Sequence, residues 1–269
     1  MDSVPCMTLP DPNRVERPRL LILGGTAEAR ALAAALADRG GYEVSLSLAG
    51  RTRNPLDQPA PVRSGGFGGA QGLAAHLRAE RIDALIDATH PFAANISCNA
   101  AEAARLAGVP LLALQRPEWT REPGDLWTKA ADIPDAVARL GAAPRRVLAA
   151  LGRNEAHALE AAPQHHWLVR SIDPVEPPLA LPSVATIEAR GPFPEAEERA
   201  LLTANRIDAV LSKNSGGAAT YGKIAAARAL GIEVIMVARP ARPEVETVES
   251  VEAALAWLER HLSPARRGV

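Results

Sequence analysis

Cysteine and surplus charge are both scarce in this chain. Cys6 and Cys98 are the only thiols among 269 residues, and two isolated cysteines form neither a disulfide framework nor a zinc-binding set. The formal net charge is −1, so the basic excess typical of nucleic-acid-binding proteins is missing and we expect no nucleic-acid partner. No apolar run approaches the ~20 residues of a membrane span, so we expect no membrane partner.

Aromatic residues make up only 3% of the chain, although 47% of it is hydrophobic. Alanine, leucine and valine must therefore fill the core, and we expect Cys98 to be a small core residue. Residues 1–17 are rich in proline and charge and lack the apolar region of a signal peptide. They predict a flexible leader on a cytoplasmic protein. The length allows one large or two modest domains.

Short apolar runs alternate with alanine-rich helical segments along most of the chain. The predicted strands are 20–23, 43–48, 84–87, 110–114, 147–150, 167–169, 184–188, 209–211 and 233–237. The predicted helices are 27–39, 71–80, 93–107, 155–159, 195–205, 218–230 and 251–262. Alternation of this kind predicts an α/β fold with parallel sheets.

The two halves of the chain resemble each other in three places, in the same order. GTAEARAL at 25–32 aligns with GRNEAHAL at 152–159, RIDALI at 81–86 with RIDAVL at 206–211, and ARLAGVPLLALQRP at 104–117 with ARALGIEVIMVARP at 227–240. This register predicts two related Rossmann-like lobes, 18–117 and 118–269, with the ligand in the cleft between them. The proline-rich stretch 115–125 is the predicted connection.

A glycine turn follows the first strand and leads directly into a helix. Gly24 and Gly25 let the backbone turn and approach a ligand closely, and Thr26 is suited to cap the helix. The helix N-terminus then presents free N–H groups to a phosphate. Glu28, in the first helical turn, would cap backbone or contact a ribose hydroxyl. Because the third glycine of G-x-G-x-x-G is missing, an ordinary strand-to-helix turn remains an alternative.

The second strand is followed by arginines and no carboxylate. NAD-binding folds place an acidic residue at this point, where it binds the ribose 2′-hydroxyl. Here the sequence has Arg51, Thr52 and Arg53, and guanidinium groups suit a 2′-phosphate. The pattern favours NADPH over NADH, and a solvated basic loop is the alternative. The loop RSGGFGG at 63–69 could approach the same cofactor or simply connect two elements.

Two further loops carry polar groups at predicted strand ends. In DATHPFAANIS (87–97), His90 precedes a proline and would face the cleft, as a proton donor or as a hydrogen-bond partner of the nicotinamide. In SKNSGGAATYGK (212–223), the polar groups around Lys213 resemble an anion cradle, with a capped helix as the alternative. Lys223 lies about two helical turns further on. We find no metal-binding spacing and no catalytic triad motif.

Taken in order, ILGGTAEARAL, AGRT, GGFGG, IDATHPFA, LQRPEW and SKNSGG resemble the precorrin-6A reductase family of cobalamin biosynthesis. The resemblance covers about residues 20–262. It implies reduction of one C=C bond of a tetrapyrrole macrocycle by NADPH, with the cofactor on the first lobe. A parallel family acts on the cobalt-containing substrate, and this alternative stays open.

The resemblance also implies roles for individual residues. The expected cofactor-binding residues are Gly24, Gly25, Thr26, Glu28, Ser47, Gly50, Arg51, Thr52, Gly66, Asp87, Thr89 and Pro91. The expected substrate-binding residues are Lys213, Asn214, Ser215, Gly216, Thr220 and Lys223, with Arg116 and Arg153 as further candidates for the carboxylates of the macrocycle. His90 is the candidate catalytic residue, with water as the alternative proton donor.

Three proteins of other classes could share parts of this pattern. A non-catalytic NADP(H) sensor would need the first lobe but not the anion loop of the second. A transferase with a nucleotide-linked donor would not need Arg51 and Arg53. A two-lobed solute-binding protein is disfavoured because the sequence shows no signal peptide.

Overall fold

The computed structural model describes residues 17–50 and 56–262, which form two six-stranded parallel sheets with helices packed on both faces. The strands are β1 Arg19–Leu23, β2 Glu43–Leu48, β3 Val62–Ser64, β4 Ala84–Asp87, β5 Leu111–Leu114, β6 Trp127–Ala130, β7 Arg146–Ala150, β8 His166–Ser171, β9 Val184–Glu188, β10 Ala209–Lys213, β11 Glu233–Val237 and β12 Thr247–Val248. The helices are α1 Ala27–Arg39, α2 Gly69–Ala79, α3 Ala94–Ala107, α4 Ile133–Arg139, α5 Glu195–Ala204, α6 Gly222–Leu230 and α7 Val251–Leu262, with 3₁₀ helices at Ala156–Ala161 and Ala218–Thr220. The predicted fold class, two Rossmann-like lobes with parallel sheets, is confirmed.

The central strands are apolar on both faces because helices cover both sides of each sheet. In β1, Leu20, Leu21, Ile22 and Leu23 are each at most 2% exposed, as expected for a strand at the centre of a parallel sheet. Parallel strands bring their carboxyl ends to one edge of the sheet. The loops that follow β1, β4, β7 and β10 therefore define where a ligand can bind.

Both sheets have the same strand order. The first runs β3-β2-β1-β4-β5-β12 and the second runs β9-β8-β7-β10-β11-β6. Five strands of each lobe follow one another along the chain in the order expected for a dinucleotide-binding fold. The three sequence matches between the halves lie at corresponding places: the first directly follows β1 and β7, the second overlaps β4 and β10, and the third covers β5 and β11.

The second sheet, β6 to β11, is one continuous stretch of chain, whereas the first sheet takes its sixth strand, β12, from the C-terminal end of the described chain. β6 follows β5 in sequence but pairs with β11, where Val234 lies opposite Trp127. β12 follows β11 but pairs with β5, where Thr247 lies opposite Ala113. Helix α7 then packs in the core of the first lobe. The expected lobe 118–269 therefore needs a correction, because its last elements, β12 and α7, belong to the first lobe.

Two crossover segments carry the chain between the lobes: the first crossover, 115–126, and the second crossover, 238–246. In the first, the backbone of Trp119 is bound by the side chain of Asn214, whose Oδ1 accepts from its N–H at 2.9 Å and whose Nδ2 donates to its carbonyl at 3.1 Å. In the second, Arg242 donates to Asp87 Oδ2 at 2.6 Å. Trp119 and Arg242 are equivalent positions of the repeat, and each docks at the carboxyl edge of the opposite sheet.

Two other features bear on the expectations from sequence. Cys98 is exposed on α3, so the expectation that it is a core residue is wrong; the buried positions of that helix are taken by serine and alanine. Within 17–50 and 56–262, no helix has the length and apolar character to cross a membrane.

The assignment of α7 to the first lobe can be tested at Trp257, which is 1% exposed and packs in the same core as Leu20 and Ile22. Trp257→Ala should lower the free energy of unfolding by about 3–5 kcal/mol, because it leaves a cavity. Trp257→Phe is the control. Among the residues 17–50 and 56–262, the indole N–H has no hydrogen-bond partner, so Trp257→Phe should cost less than about 1.5 kcal/mol. Urea titration measures the free energy of unfolding of both variants. An equally small loss of this free energy for Trp257→Ala would contradict the assignment of α7 to the first lobe.

Candidate functional site

The glycine turn after β1 has the geometry of an anion-binding turn. The N–H of Gly24 donates to the carbonyl of Ser47 at 2.9 Å, which fixes the turn to β2. Gly25 has φ of 106°, with open space where a Cβ would lie. Thr26 is the N-cap of α1: its Oγ1 accepts from the N–H of Ala29 at 3.1 Å and donates to the carbonyl of Ala88 at 2.7 Å. The turn leaves room for a ligand at the start of α1.

Glu28 does not cap the helix. Its carboxylate binds Arg116 of the first crossover, with Nη1–Oε distances of 2.9 and 3.2 Å. Arg116 also donates from Nε to the carbonyl of Ser215 in the second lobe at 2.7 Å. This pair therefore connects the glycine turn of the first lobe with the anion loop of the second, and it neutralises a carboxylate that would otherwise repel a phosphate.

The ends of β2 and β3 form the next wall of the site. Ser47 is 6% exposed, and Gly50 has φ of 68° and packs near the backbone of Gly65. The carbonyl of Gly66 accepts from Arg63 Nη2 at 2.7 Å, which shapes the glycine loop. The predicted phosphate-binding residues, Arg51 and Thr52, lie outside the described residues together with Arg53.

Asp87, at the end of β4, organises the loop that follows. Its Oδ1 accepts from the N–H and the hydroxyl of Thr89, at 3.1 and 2.6 Å, and its Oδ2 accepts from Arg242. Arg242 also contacts Ser97 of α3. Both acceptor atoms of Asp87 are thus engaged and the side chain is 4% exposed. In this arrangement Asp87 and Thr89 fix the path of the loop and the position of the second crossover.

His90 is neutral in this environment. Burial, followed by the charges of Lys213, Arg116, Arg239 and Arg242, lowers the pKa of His90 to about 3. Its Nδ1 accepts from the N–H of Phe92 at 3.2 Å, which assigns the ring proton to Nε2. The buried Pro91 separates the two residues. At neutral pH, His90 can therefore donate a hydrogen bond through Nε2, but it carries no imidazolium proton to transfer.

The loop after β10 is stabilised chiefly by the crossovers. The side chain of Asn214, 6% exposed, is occupied by Trp119 and contacts Glu118. The carbonyl of Ser215 accepts from Arg116 and, at 3.2 Å, from Arg239. Gly216 packs so closely that a Cβ there would lie 2.0 Å from the carbonyl of Pro117. These residues build the interface between the lobes, and only glycine fits at position 216.

Lys213 lies where the two lobes meet. Its Nζ binds Glu155 Oε2 at 2.5 Å, and it lies 5.1 Å from the ring centroid of Phe92, which comes from the first lobe. Phe92 in turn packs against the core of the second lobe. The anion loop and the His90 loop are therefore neighbours, as the prediction of a site between the lobes requires.

Lys223 lies in a different environment from Lys213. It is 4% exposed, donates from Nζ to the carbonyl of Thr220 at 2.7 Å, and lies 4.6 Å from the ring centroid of Trp119. Burial, with a smaller effect of Arg170, lowers the pKa of Lys223 to about 7. In this structure the contact of Lys223 with Thr220 stabilises the loop after β10. Arg153 lies in the turn after β7.

Sequence reasoning missed several residues that the structure brings to this place. They are Phe92, Trp119, Glu155, Arg239 and Arg242. The internal repeat of the sequence could have indicated three of them. Arg239 is the repeat equivalent of Arg116 and Glu155 that of Glu28, while Arg242 follows Arg239 by the spacing that separates Trp119 from Arg116. For Phe92 the sequence offered only its position two residues after His90.

The assembled groups suit a dinucleotide and an anion better than a metal ion. An open glycine turn at the start of α1 adjoins a neutral histidine and four cationic side chains. Within the described parts of the chain, no group of three histidine, cysteine or acidic side chains is placed to bind a metal ion.

The protonation state of His90 can be measured by NMR. The pKa of His90 is about 3 in the folded protein, whereas the ordinary value of 6.5 applies to the unfolded chain. The unfolded chain therefore binds the second imidazole proton more tightly. Stability from the neutral ring is thus complete above pH 6.5 and is lost as the pH falls towards about 3. The resonance of His90 is assigned as the imidazole signal that is absent from the spectrum of His90→Gln. Near pH 6.5 this signal should be that of the neutral Nε2–H tautomer. Half-protonation near pH 6.5 would contradict the account.

Comparisons with known proteins agree with the geometry. The family model described as precorrin-6x reductase CbiJ/CobK matches residues 19–259. A precorrin-6A reductase from Sinorhizobium sp is 55% identical over 95% of this chain and 98% of its own length. A cobalt-precorrin-6A reductase from Salmonella typhimurium is 32% identical over 90% of this chain and 94% of its own length.

A solved structure titled CobK precorrin-6A reductase superposes with a TM-score of 0.88 and 46% identity, covering 93% of this chain and 99% of that one. The match extends over both lobes and both crossovers. With the family model covering nearly the whole described chain, the protein belongs to the precorrin-6x reductase (CbiJ/CobK) family.

Proposed function

We propose that this protein reduces precorrin-6A with NADPH, transferring a hydride to one carbon of a C=C bond while the partner carbon gains a proton. The observation that carries the proposal is the meeting of two loops at the lobe interface. The nucleotide-type turn of the first lobe adjoins the loop that carries Lys213, and the two are joined through Arg116. A reductase of an anionic macrocycle needs a cofactor site and a cationic substrate site side by side.

The first lobe fits the cofactor in three respects. Gly25 leaves space at the start of α1, Thr26 fixes the helix end, and Glu28 is neutralised by Arg116. A pyrophosphate at the turn would receive backbone N–H groups and the positive end of the helix. Arg51, Thr52 and Arg53 follow β2 in sequence and supply the groups that would read the 2′-phosphate.

The nicotinamide would supply the hydride, and the chain would supply binding, orientation and electrostatics. His90, as a neutral Nε2–H donor, is suited to bind a carbonyl oxygen of the nicotinamide amide or of the substrate. Its depressed pKa disfavours a role as an imidazolium acid, so we assign the proton to water. Lys213 would bind a carboxylate of the macrocycle and fix its orientation.

The metal-free substrate is favoured over the cobalt-containing one. The relatives named precorrin-6A reductase are 45–55% identical to this chain, whereas those named cobalt-precorrin-6A reductase are 25–32% identical. A cytoplasmic location belongs to the same proposal, because NADPH is regenerated inside cells.

Turnover distinguishes the reductase from a non-catalytic NADP(H)-binding protein. Mixed with NADPH and precorrin-6A, the protein should consume one NADPH for each substrate molecule, and the product should contain two more hydrogen atoms by mass spectrometry. The cobalt-containing analogue should react more slowly. Tight NADPH binding without any reduction of either macrocycle would contradict the reductase assignment and favour a sensor.

Nucleotide preference tests the role of the arginines after β2. Arg51→Ala should weaken NADPH binding by about tenfold or more, since it removes a charge-assisted hydrogen bond, and should leave NADH binding nearly unchanged. Calorimetric titration at one fixed salt concentration measures both.

The matched control is Arg39→Ala. Arg39 lies at the other end of α1 in an exposed pair with Glu259, where the loss of charge should affect neither nucleotide. If Arg51→Ala weakens the binding of NADPH and NADH equally, the assignment of Arg51 to the 2′-phosphate is wrong.

A further inference from the structure

The carboxylate of Glu155 occupies a small anion site in the second lobe. Its Oε2 accepts from the backbone N–H of Gly152 at 3.0 Å and from Lys213 Nζ at 2.5 Å. Glu155 aligns with Glu28 of the glycine turn, so the turn after β7 is the second-lobe equivalent of the nucleotide turn. In the first lobe this place is open at Gly25, whereas in the second lobe the protein's own carboxylate lies in it.

Glu155 is the more accessible member of its pair. Its side chain is 32% exposed, against 13% for Lys213. Lys213 Nζ has a second contact, to the ring of Phe92, whose centroid lies 5.1 Å away. The glutamate can therefore rotate into solvent while the lysine stays in place, facing the lobe interface.

The other cations near His90 are paired differently. Arg242 is paired with Asp87, which is 4% exposed and also bound to Thr89. Arg116 makes two contacts to Glu28 and a third to Ser215. Within the residues that the structure describes, Glu155 is the one hydrogen-bond acceptor of Lys213, and an ammonium group can donate three hydrogen bonds. Lys213 therefore has donors left for a ligand.

We propose that Lys213 and the N–H of Gly152 form a carboxylate subsite, which Glu155 fills in the free protein and leaves when a substrate carboxylate binds. The subsite rests on the proposed function only for the identity of that substrate. Glu155 is then a residue that sets substrate affinity: it keeps the site neutral when empty and competes with the incoming anion.

The test compares Glu155→Gln with Lys213→Ala and with a matched control. Removing the competing charge should lower KM for precorrin-6A about tenfold, with kcat and the KM for NADPH unchanged. Lys213→Ala should raise KM for precorrin-6A without affecting NADPH. The control is Glu160→Gln: Glu160 lies on the 3₁₀ helix that directly follows Glu155, is 33% exposed and pairs with His157, so this substitution should leave every constant unchanged.

An increase in KM for Glu155→Gln, as for Lys213→Ala, would overturn the proposal, because Glu155 would then position the lysine. An unchanged KM would overturn it equally, since no competition would exist. If Glu155→Gln does not fold, Glu155→Asp replaces it: the shorter side chain reaches Lys213 less well, so KM should again fall.

Calorimetry with citrate separates this proposal from the reductase assignment. Citrate should bind more tightly to Glu155→Gln than to the unaltered protein, and not detectably to Lys213→Ala, whether or not precorrin-6A is reduced. Failure of turnover together with this order of citrate affinities would refute the reductase function and retain the subsite. Equal citrate affinities for all three proteins would refute the subsite even if turnover is observed.

Discussion

The docking of each crossover on the opposite sheet is the constraint on which the site depends. Arg242 of the second crossover donates to Asp87, and the backbone of Trp119 in the first crossover is bound by the side chain of Asn214. Both contacts lie at carboxyl ends of central strands. Beside these contacts, Phe92 from the loop after β4 packs against the core of the second lobe and lies near Lys213 at the end of β10. The two lobes thus form one site, and the first sheet is complete only with β12, which follows the second lobe in sequence.

The same contacts explain how a nearly neutral protein can present a cationic site. Burial, followed by the charges of four cations, lowers the pKa of His90 to about 3. Of these cations, Arg116, Arg242 and Lys213 each have a carboxylate partner. Paired charges cost less to bury than isolated ones. An anionic ligand can replace an exposed partner such as Glu155, whereas a buried partner such as Asp87 stays in place to maintain the architecture.

The sequence predicted the central elements well, and the elements that join the lobes poorly. Apolar runs such as 20–23 are determined locally, because a strand covered on both faces must be apolar throughout. The short β6 and β12 lie in segments rich in proline and charge, and their partners are more than a hundred residues away in sequence, so no local pattern could reveal them. For the site, the sequence indicated the glycine turn and Lys213 as candidates. It could not indicate the contacts of Trp119 with the buried Asn214 and Lys223, because these join segments far apart in sequence.

Hydrogen–deuterium exchange with and without NADPH tests the division of labour between the lobes most directly. The account predicts slower amide exchange at 24–30 and 62–69, around the glycine turn of the first lobe, with little change at 150–155 in the equivalent turn of the second. Slower exchange centred on 150–155 would place the nucleotide on the second lobe. That result would contradict the account, because Glu155 could not then be the group that occupies the second turn.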